Sequence, residues 1–229
     1  MTNSQLCKRL IDITLASTIL VLTLPITVAA AVLCLILQGW PIFYISRRCV
    51  SPNKTIPVFK FRTMVRDAVS PKYRLAERFM RDGYLDIPLS CEVYTPLGRI
   101  MERMQIVELP QMLNVLFHGM SLIGNRPLPM TNVRCLQKYD GWEQRFSCPV
   151  GISGISQVVG KLNLEPEQRL ALEIAYADCY RTGNVVRCDL FILLYTMRIV
   201  FLGTGIDTDE ARRVLQVASG VELASGITE

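Results

Sequence analysis

The sequence predicts an α-dominant α+β fold: an N-terminal, proline-broken re-entrant membrane helix, then a mostly helical domain with a small β-hairpin. Three observations predict it. Residues 13–37 carry no charge, yet Pro25 sits at their centre. Two short extended runs, 42–45 and 58–62, flank the turn residues Ser51-Pro52-Asn53-Lys54. The rest of the chain is punctuated by Pro starts and Gly stops at helical spacing.

The uncharged stretch would reach about 38 Å as a helix, more than the roughly 30 Å of bilayer hydrocarbon. Hydropathy alone fits a single span. Pro25, however, removes a backbone donor and breaks or kinks a helix, and in lipid the freed carbonyls need nearby partners such as Thr23. Basic residues lie on both sides, Lys8-Arg9 before and Arg47, Arg48, Lys54, Lys60 and Arg62 after. Short basic flanks stay cytoplasmic, so a segment that enters, bends at Pro25 and returns fits both facts. A cleaved signal peptide fits Lys8-Arg9 and Ala29-Ala30-Ala31, but the apolar run continues through Leu37. The expected organisation is an anchor over 1–40, a domain over 41–205, and a terminal helix and tail over 206–229.

Within the domain, alternation puts Phe59 and Phe61 on one strand face and Lys60 and Arg62 on the other. Residues 72–80 read as a helix stopped by Asp82-Gly83. Thr95 caps a helix begun by Pro96 that runs to 104, and Pro110 starts another that ends at His118-Gly119. Residues 121–129 and 147–161 read as loops, the second structured by its glycines. Pro166 starts a helix that stops at Thr182-Gly183. Residues 189–202 are strongly apolar but too short to span, so they form a core or interfacial helix. A last helix covers 207–217.

Half the residues are hydrophobic and the net charge is +5. Positive charge gathers after the apolar run and near Arg99, Arg103 and Arg126, which suits anionic headgroups or a phosphorylated ligand. No nucleic-acid-binding motif accompanies it. Eight scattered cysteines with no Cys-x-x-Cys pair, and one histidine, argue against a zinc site and for a reducing compartment.

Three polar clusters fall in turns, where ligand sites form. They are Lys60-Phe61-Arg62-Thr63-Met64; Glu108-Leu109-Pro110-Gln111; and Gly124-Asn125-Arg126-Pro127 with Gly151-Ile152-Ser153-Gly154 and Gln157. Arginine forks match phosphate oxygens. A carboxylate at a helix start, such as Glu108, is favoured by the helix dipole and suits Mg2+. On spacing alone Glu108 reads first as a helix-start residue and Arg126 as a surface arginine; as a site, the candidates are Glu108 as metal ligand, Lys60, Arg62, Arg126 and Gln157 as phosphate or substrate ligands, and Pro25 as the anchor break.

Taken together these segments resemble the bacterial sugar transferase family, the monotopic phosphoglycosyl transferases that load a polyprenyl phosphate carrier. The resemblance starts at Lys8-Arg9-Leu10-Ile11-Asp12 and runs through Lys60-Phe61-Arg62-Thr63-Met64, Leu97-Gly98-Arg99, Glu108-Leu109-Pro110-Gln111, Arg126-Pro127-Leu128, Gly151-Ile152-Ser153-Gly154, Gln157-Val158, and Leu172-Glu173 with Tyr176. It implies phosphoryl transfer in which an aspartate displaces a nucleoside monophosphate from a UDP-sugar, with Mg2+ and arginine offsetting charge. Undecaprenyl phosphate then takes the phospho-sugar. It also implies the cytosolic face of a bacterial inner membrane with both ends cytoplasmic.

One departure decides the functional reading. The resemblance puts the nucleophilic aspartate just before Glu108, and this chain has Val107 there. Glu102 stands where the family carries a basic residue, Asn125 replaces the first proline of Pro-Arg-Pro, and Pro149-Val150-Gly151 replaces Pro-Gly. The expected function is a lipid- or nucleotide-sugar-binding member of glycan assembly (exopolysaccharide, O-antigen or glycoprotein) without the covalent chemistry. It would partner an active homologue or a second copy of itself. The alternative is an active transferase using Glu108.

Overall fold

A computed structural model of the chain describes residues 2–81, 84–160 and 164–219. Two helices open it, α1 (Asn3–Leu22) and α2 (Leu24–Gln38), bent by 60°. Thr2 caps α1, accepting from Gln5 N. The break falls at Thr23, not at Pro25, which lies in the first turn of α2. Proline is tolerated there because that N–H has no helical partner to lose. The Thr23 hydroxyl donates to Ile19 O at 2.7 Å, and the Thr27 hydroxyl donates to Thr23 O at 2.9 Å. Among the described residues no single helix is long and apolar enough to cross a membrane, but the bent pair together is, by length and composition.

The hairpin is longer than its short apolar runs suggest. Strand β1 (Phe43–Ser51) pairs antiparallel with β2 (Lys54–Phe61), with Phe43 opposite Phe61, Tyr44 opposite Lys60 and Arg48 opposite Ile56. Arg47, Arg48 and Lys54 interrupt the apolar pattern without interrupting the ladder. The Asn114 side chain completes β2 from outside: its Oδ1 accepts from Phe59 N at 3.0 Å and its Nδ2 donates to Pro57 O. Phe61 is buried and stacks on Phe43 at 5.2 Å. Lys60 faces away from it, as alternation requires.

The helix read over 72–80 is split. A 3₁₀ turn (Pro71–Tyr73) ends at Arg74, whose φ of 48° is left-handed, before α3 (Leu75–Phe79). The short β3 (Met80–Arg81) and β4 (Tyr84–Leu85) follow; the expected stop at Asp82-Gly83 lies outside the described residues. Helix α4 (Pro96–Arg103) is capped by Thr95, whose Oγ1 accepts from Gly98 N at 2.9 Å. A Cβ at Gly98 would sit 2.0 Å from Thr63 O, so glycine lets α4 press against the hairpin's exit.

Pro110 does not start a helix. It lies inside a 3₁₀ turn (Ile106–Gln111), and α5 (Met112–Phe117) begins two residues later. Residues 121–129 are not all loop either: β5 (Ser121–Ile123) pairs in parallel with a later strand, introduced below. Helix α6 (Met130–Leu136) covers one side. Strand β6 (Gly151–Ser153) and α7 (Ile155–Val159) occupy the glycine-rich stretch. Ser121 pairs with Gly151 and Ile123 with Ser153. A Cβ at Gly124, Gly151 or Gly154 would come within 2.3 Å of neighbouring backbone, so these glycines exist for the close strand contact.

Helix α8 (Pro166–Thr182) runs between Pro166 and Gly183 as read. With α9 (Val185–Leu202) and α10 (Thr208–Ser219) it encloses the largest core, built on Leu172, Tyr176, Cys188, Ile192 and Leu215. One side of α9 (Val185, Cys188, Ile192) is buried there, while Leu190, Leu194 and Met197 are exposed. All eight cysteines are free thiols.

Candidate functional site

Two buried polar networks fix the framework. The first pins the N-terminal helix to the domain. Lys8 Nζ donates to Ser121 Oγ at 2.6 Å, Ile123 O at 2.9 Å and Asp189 Oδ2 at 2.6 Å. Asp12 accepts from Leu122 N and from the Ser121 hydroxyl. Tyr176 donates to Asp189 Oδ1 at 2.6 Å. Lys8 is only 2% exposed. Thus the Lys-Arg-x-x-Asp pattern at the chain's start acts here as a latch across α1, β5 and α9.

The second network lies under residues 124–126. Arg145 Nε donates to Glu173 Oε2 at 2.7 Å in a pair whose side chains are 0% and 1% exposed. Asn125 Nδ2 donates to the carbonyls of Arg145 and Glu173, and Arg145 Nη2 donates to Arg126 O at 2.9 Å.

A separate charged cluster forms where β2 meets the 106–111 turn. Lys60, from β2, donates to Glu108 Oε1 at 2.8 Å, with both side chains about one-fifth exposed at 21% and 19%. Lys60 and Glu108 belong to separate sequence clusters, and the packing of β2 on the 106–111 turn brings them together. Arg48 joins them from β1, on the hairpin face that carries Lys60. Its pKa is lowered, first by burial and then by the neighbouring Arg126; Tyr44 and Glu108 pull it back up. Cys49 N donates to Leu128 O at 2.8 Å, which brings the loop that carries Arg126 alongside the Arg48 segment, while Lys60 pairs with Glu108. In sequence Arg48 is only part of a basic flank; the strand register, which sets it opposite Ile56, is the signal that aligns it with Lys60.

Two expected ligands are elsewhere. Arg62 lies just past β2 and is spent on the end of α2: Nε donates to Pro41 O at 2.7 Å and Nη2 to Gln38 O and Gly39 O, both at 2.8 Å. It clamps the anchor rather than standing beside Lys60. Gln157 donates to Ile152 O at 2.8 Å and lines an open cavity of about 620 Å³ with Gly203, Gly205 and Asp207. Lys60, Glu108 and Arg126 do not line that cavity.

Val107 is 2% exposed and packs with Ala30, Cys34, Phe61 and Met101. The cluster around it is apolar apart from the Cys34 thiol, which donates to Met101 Sδ. As for metal, no group of three or more His, Cys, Asp or Glu side chains among the described residues could hold an ion. Glu108 offers one carboxylate, which suffices for Mg2+ only where phosphate oxygens and water supply the other ligands.

The Lys60–Glu108 ion pair, with Arg48 on the same hairpin face, lies where the hairpin meets the 106–111 turn. The profile of the family described as bacterial sugar transferase matches residues 3–203, and the chain belongs to that family. It is similar to the uncharacterized sugar transferase EpsL of Bacillus subtilis (strain 168), 30% identical over 202 residues, or 88% of this chain and 91% of that protein. It is also similar to the UDP-N-acetylgalactosamine-undecaprenyl-phosphate N-acetylgalactosaminephosphotransferase of Aeromonas hydrophila, 30% identical over 86% of this chain. A third relative is the UDP-glucose:undecaprenyl-phosphate glucose-1-phosphate transferase of Escherichia coli (strain K12), 30% identical over 69% of this chain. The chain spans less than half of the last two, at 44% and 32% of their lengths.

Proposed function

We propose that this chain is a phosphoglycosyl-transferase-like protein of glycan assembly that binds the phosphate of a polyprenyl phosphate or a nucleotide-sugar but forms no covalent phospho-sugar intermediate. In this reading it works beside an active homologue. The observation that carries it is Val107, buried in an apolar cluster at the position where family resemblance expects the nucleophile. A valine side chain has no lone pair to attack phosphorus. The cations around Glu108 still suit a phosphate, and Lys60 and Arg48 sit where they would offset its charge. Mg2+ would come with the phosphate, held by Glu108 and phosphate oxygens, and would neutralise charge there.

A second reading keeps activity. Glu108 is ionisable, partly exposed and already in the cluster. One of its carboxylate oxygens would attack the sugar-bearing phosphorus, breaking the phosphoanhydride bond and releasing UMP. The test is UMP release from a panel of UDP-sugars with Mg2+ and undecaprenyl phosphate. The proposal expects none from this chain alone and turnover once a co-encoded homologue is added. Sustained release by this chain alone, lost in Glu108→Gln, would favour the second reading.

The same proposal makes the bent pair a re-entrant anchor on the cytosolic face of the bacterial inner membrane. Its 60° bend and its exposed Val21, Leu22, Leu24, Ile36 and Leu37 support this. Labelling single-cysteine variants in intact cells with a membrane-impermeant maleimide should leave positions 2 and 69 both unmodified until lysis. Modification of residue 69 from outside would contradict it.

A further inference from the structure

Arg126 makes no ion pair among the described residues, and the antiparallel bridge between Cys49 and Leu128, with Cys49 N donating to Leu128 O at 2.8 Å, sets its loop beside Arg48. Like charges stay together only where the backbone beneath them is held. Here it is held from below. Asn125 Nδ2 donates to Arg145 O at 2.8 Å and to Glu173 O at 2.9 Å. Arg145 Nη2 donates to Arg126 O at 2.9 Å, and Gly151 N donates to Asn125 O at 2.9 Å. Ser156 Oγ donates to Glu173 Oε1 at 3.2 Å. The loop is thereby tied to the 142–146 turn, β6 and α8 at once.

A fully buried ion pair is a poor source of stability, because desolvation offsets most of its attraction. This one also leaves Arg145 Nη1 and Asn125 Oδ1 buried without a partner, which stability alone would not select. What the pair does fix is the backbone at residue 126. A proline at 125, as in the family pattern, has no side-chain donor and could make neither Asn125 bond. We propose that Asn125, Arg145 and Glu173 form a buried bracket that positions Arg126 opposite Arg48, spacing the two guanidinium groups for one phosphoryl group. Arg126 would touch the phosphate; the bracket residues act through it. The inference rests on the phosphate-binding reading above. Preorganised donors hold an anion best because they need not be rearranged when it arrives.

The phosphoryl group belongs either to a nucleotide or to a carrier lipid, and two probes separate these. Full-length protein in phosphatidylcholine nanodiscs is titrated calorimetrically with UDP and, separately, with farnesyl phosphate. A double-mutant cycle uses Asn125→Ala and Arg126→Ala, with Glu173→Gln as a shape-conserving second bracket variant. Arg126→Ala should weaken binding of at least one probe about tenfold, as loss of a charged hydrogen bond does. Asn125→Ala, or Glu173→Gln if the first does not fold, should weaken the same probe by a similar factor and add nothing in the Arg126→Ala background. The probe that responds names the source. Equal losses in both backgrounds would mean a merely structural role and overturn the bracket. So would loss on Arg126→Ala with none on either bracket variant. Binding indifferent to Arg126→Ala, or no binding of either probe, would instead remove the phosphate-site reading itself.

Discussion

Val107→Asp should not restore transfer chemistry, and it should cost the fold about 3 kcal/mol. The position is 2% exposed and walled by Ala30, Cys34, Phe61 and Met101. A carboxylate placed there loses water, and the wall side chains offer it only the weak Cys34 thiol donor. Desolvation disfavours the charged form, so the new acid would stay protonated at neutral pH, and a protonated carboxyl is a poor nucleophile. Denaturant titration measures the cost, and the UMP-release assay measures the chemistry. Turnover in Val107→Asp would show that the surroundings of residue 107 are polar enough to support a nucleophile and would overturn this expectation.

The largest stability effect should come from Lys8→Met, at about 3–5 kcal/mol, because it leaves Asp12 and Asp189 without their cation. Lys8 sits 2.6 Å from Asp189 and 3.5 Å from Asp12; the Lys8 and Asp12 side chains are buried and that of Asp189 is mostly so. Burial already raises the Asp189 pKa, with Lys8 pulling it back. Removing Lys8 lets burial dominate. An acid whose folded pKa is raised lends stability below its unfolded pKa and loses it as pH rises through the folded value. The deficit of Lys8→Met should therefore be smaller at pH 5 than at pH 8. A pH-independent deficit, or one below about 1 kcal/mol, would mean that the latch is not electrostatic. Because the same residues tie α1 to β5 and α9, the variant should also loosen the anchor from the domain.

Local signals are legible in the sequence and long-range ones are not. Thr95-Pro96 and Pro166…Gly183 specify α4 and α8 within their own few residues, and both helices stand as read. Pro25 marks the right helix break but not its position, since proline fits the first turn of the helix it begins. Strand β5 escapes a sequence reading because three residues show no alternation and its partner lies thirty positions on. Arg74 adopts a left-handed conformation that nothing in 72–80 announces. In the site, Lys60, Glu108 and Arg126 can be named from their turns, but their meeting depends on how the hairpin packs on the 106–111 turn. Arg62 looks like a phosphate ligand because it is an arginine in a turn; its use on α2 carbonyls needs the fold. No motif or turn singles out Arg145, and its burial against Glu173 is visible only in the fold.

Phosphate binding without a covalent intermediate, as proposed above, can be read from intact-protein mass spectrometry of the chain in nanodiscs, held with Mg2+ and saturating UDP-sugar and quenched within seconds without acceptor lipid. An unmodified mass is expected for every sugar tried, under conditions where calorimetry shows the nucleotide bound. A mass increase equal to one phospho-sugar, mapped to Glu108 and absent in Glu108→Gln, would contradict it.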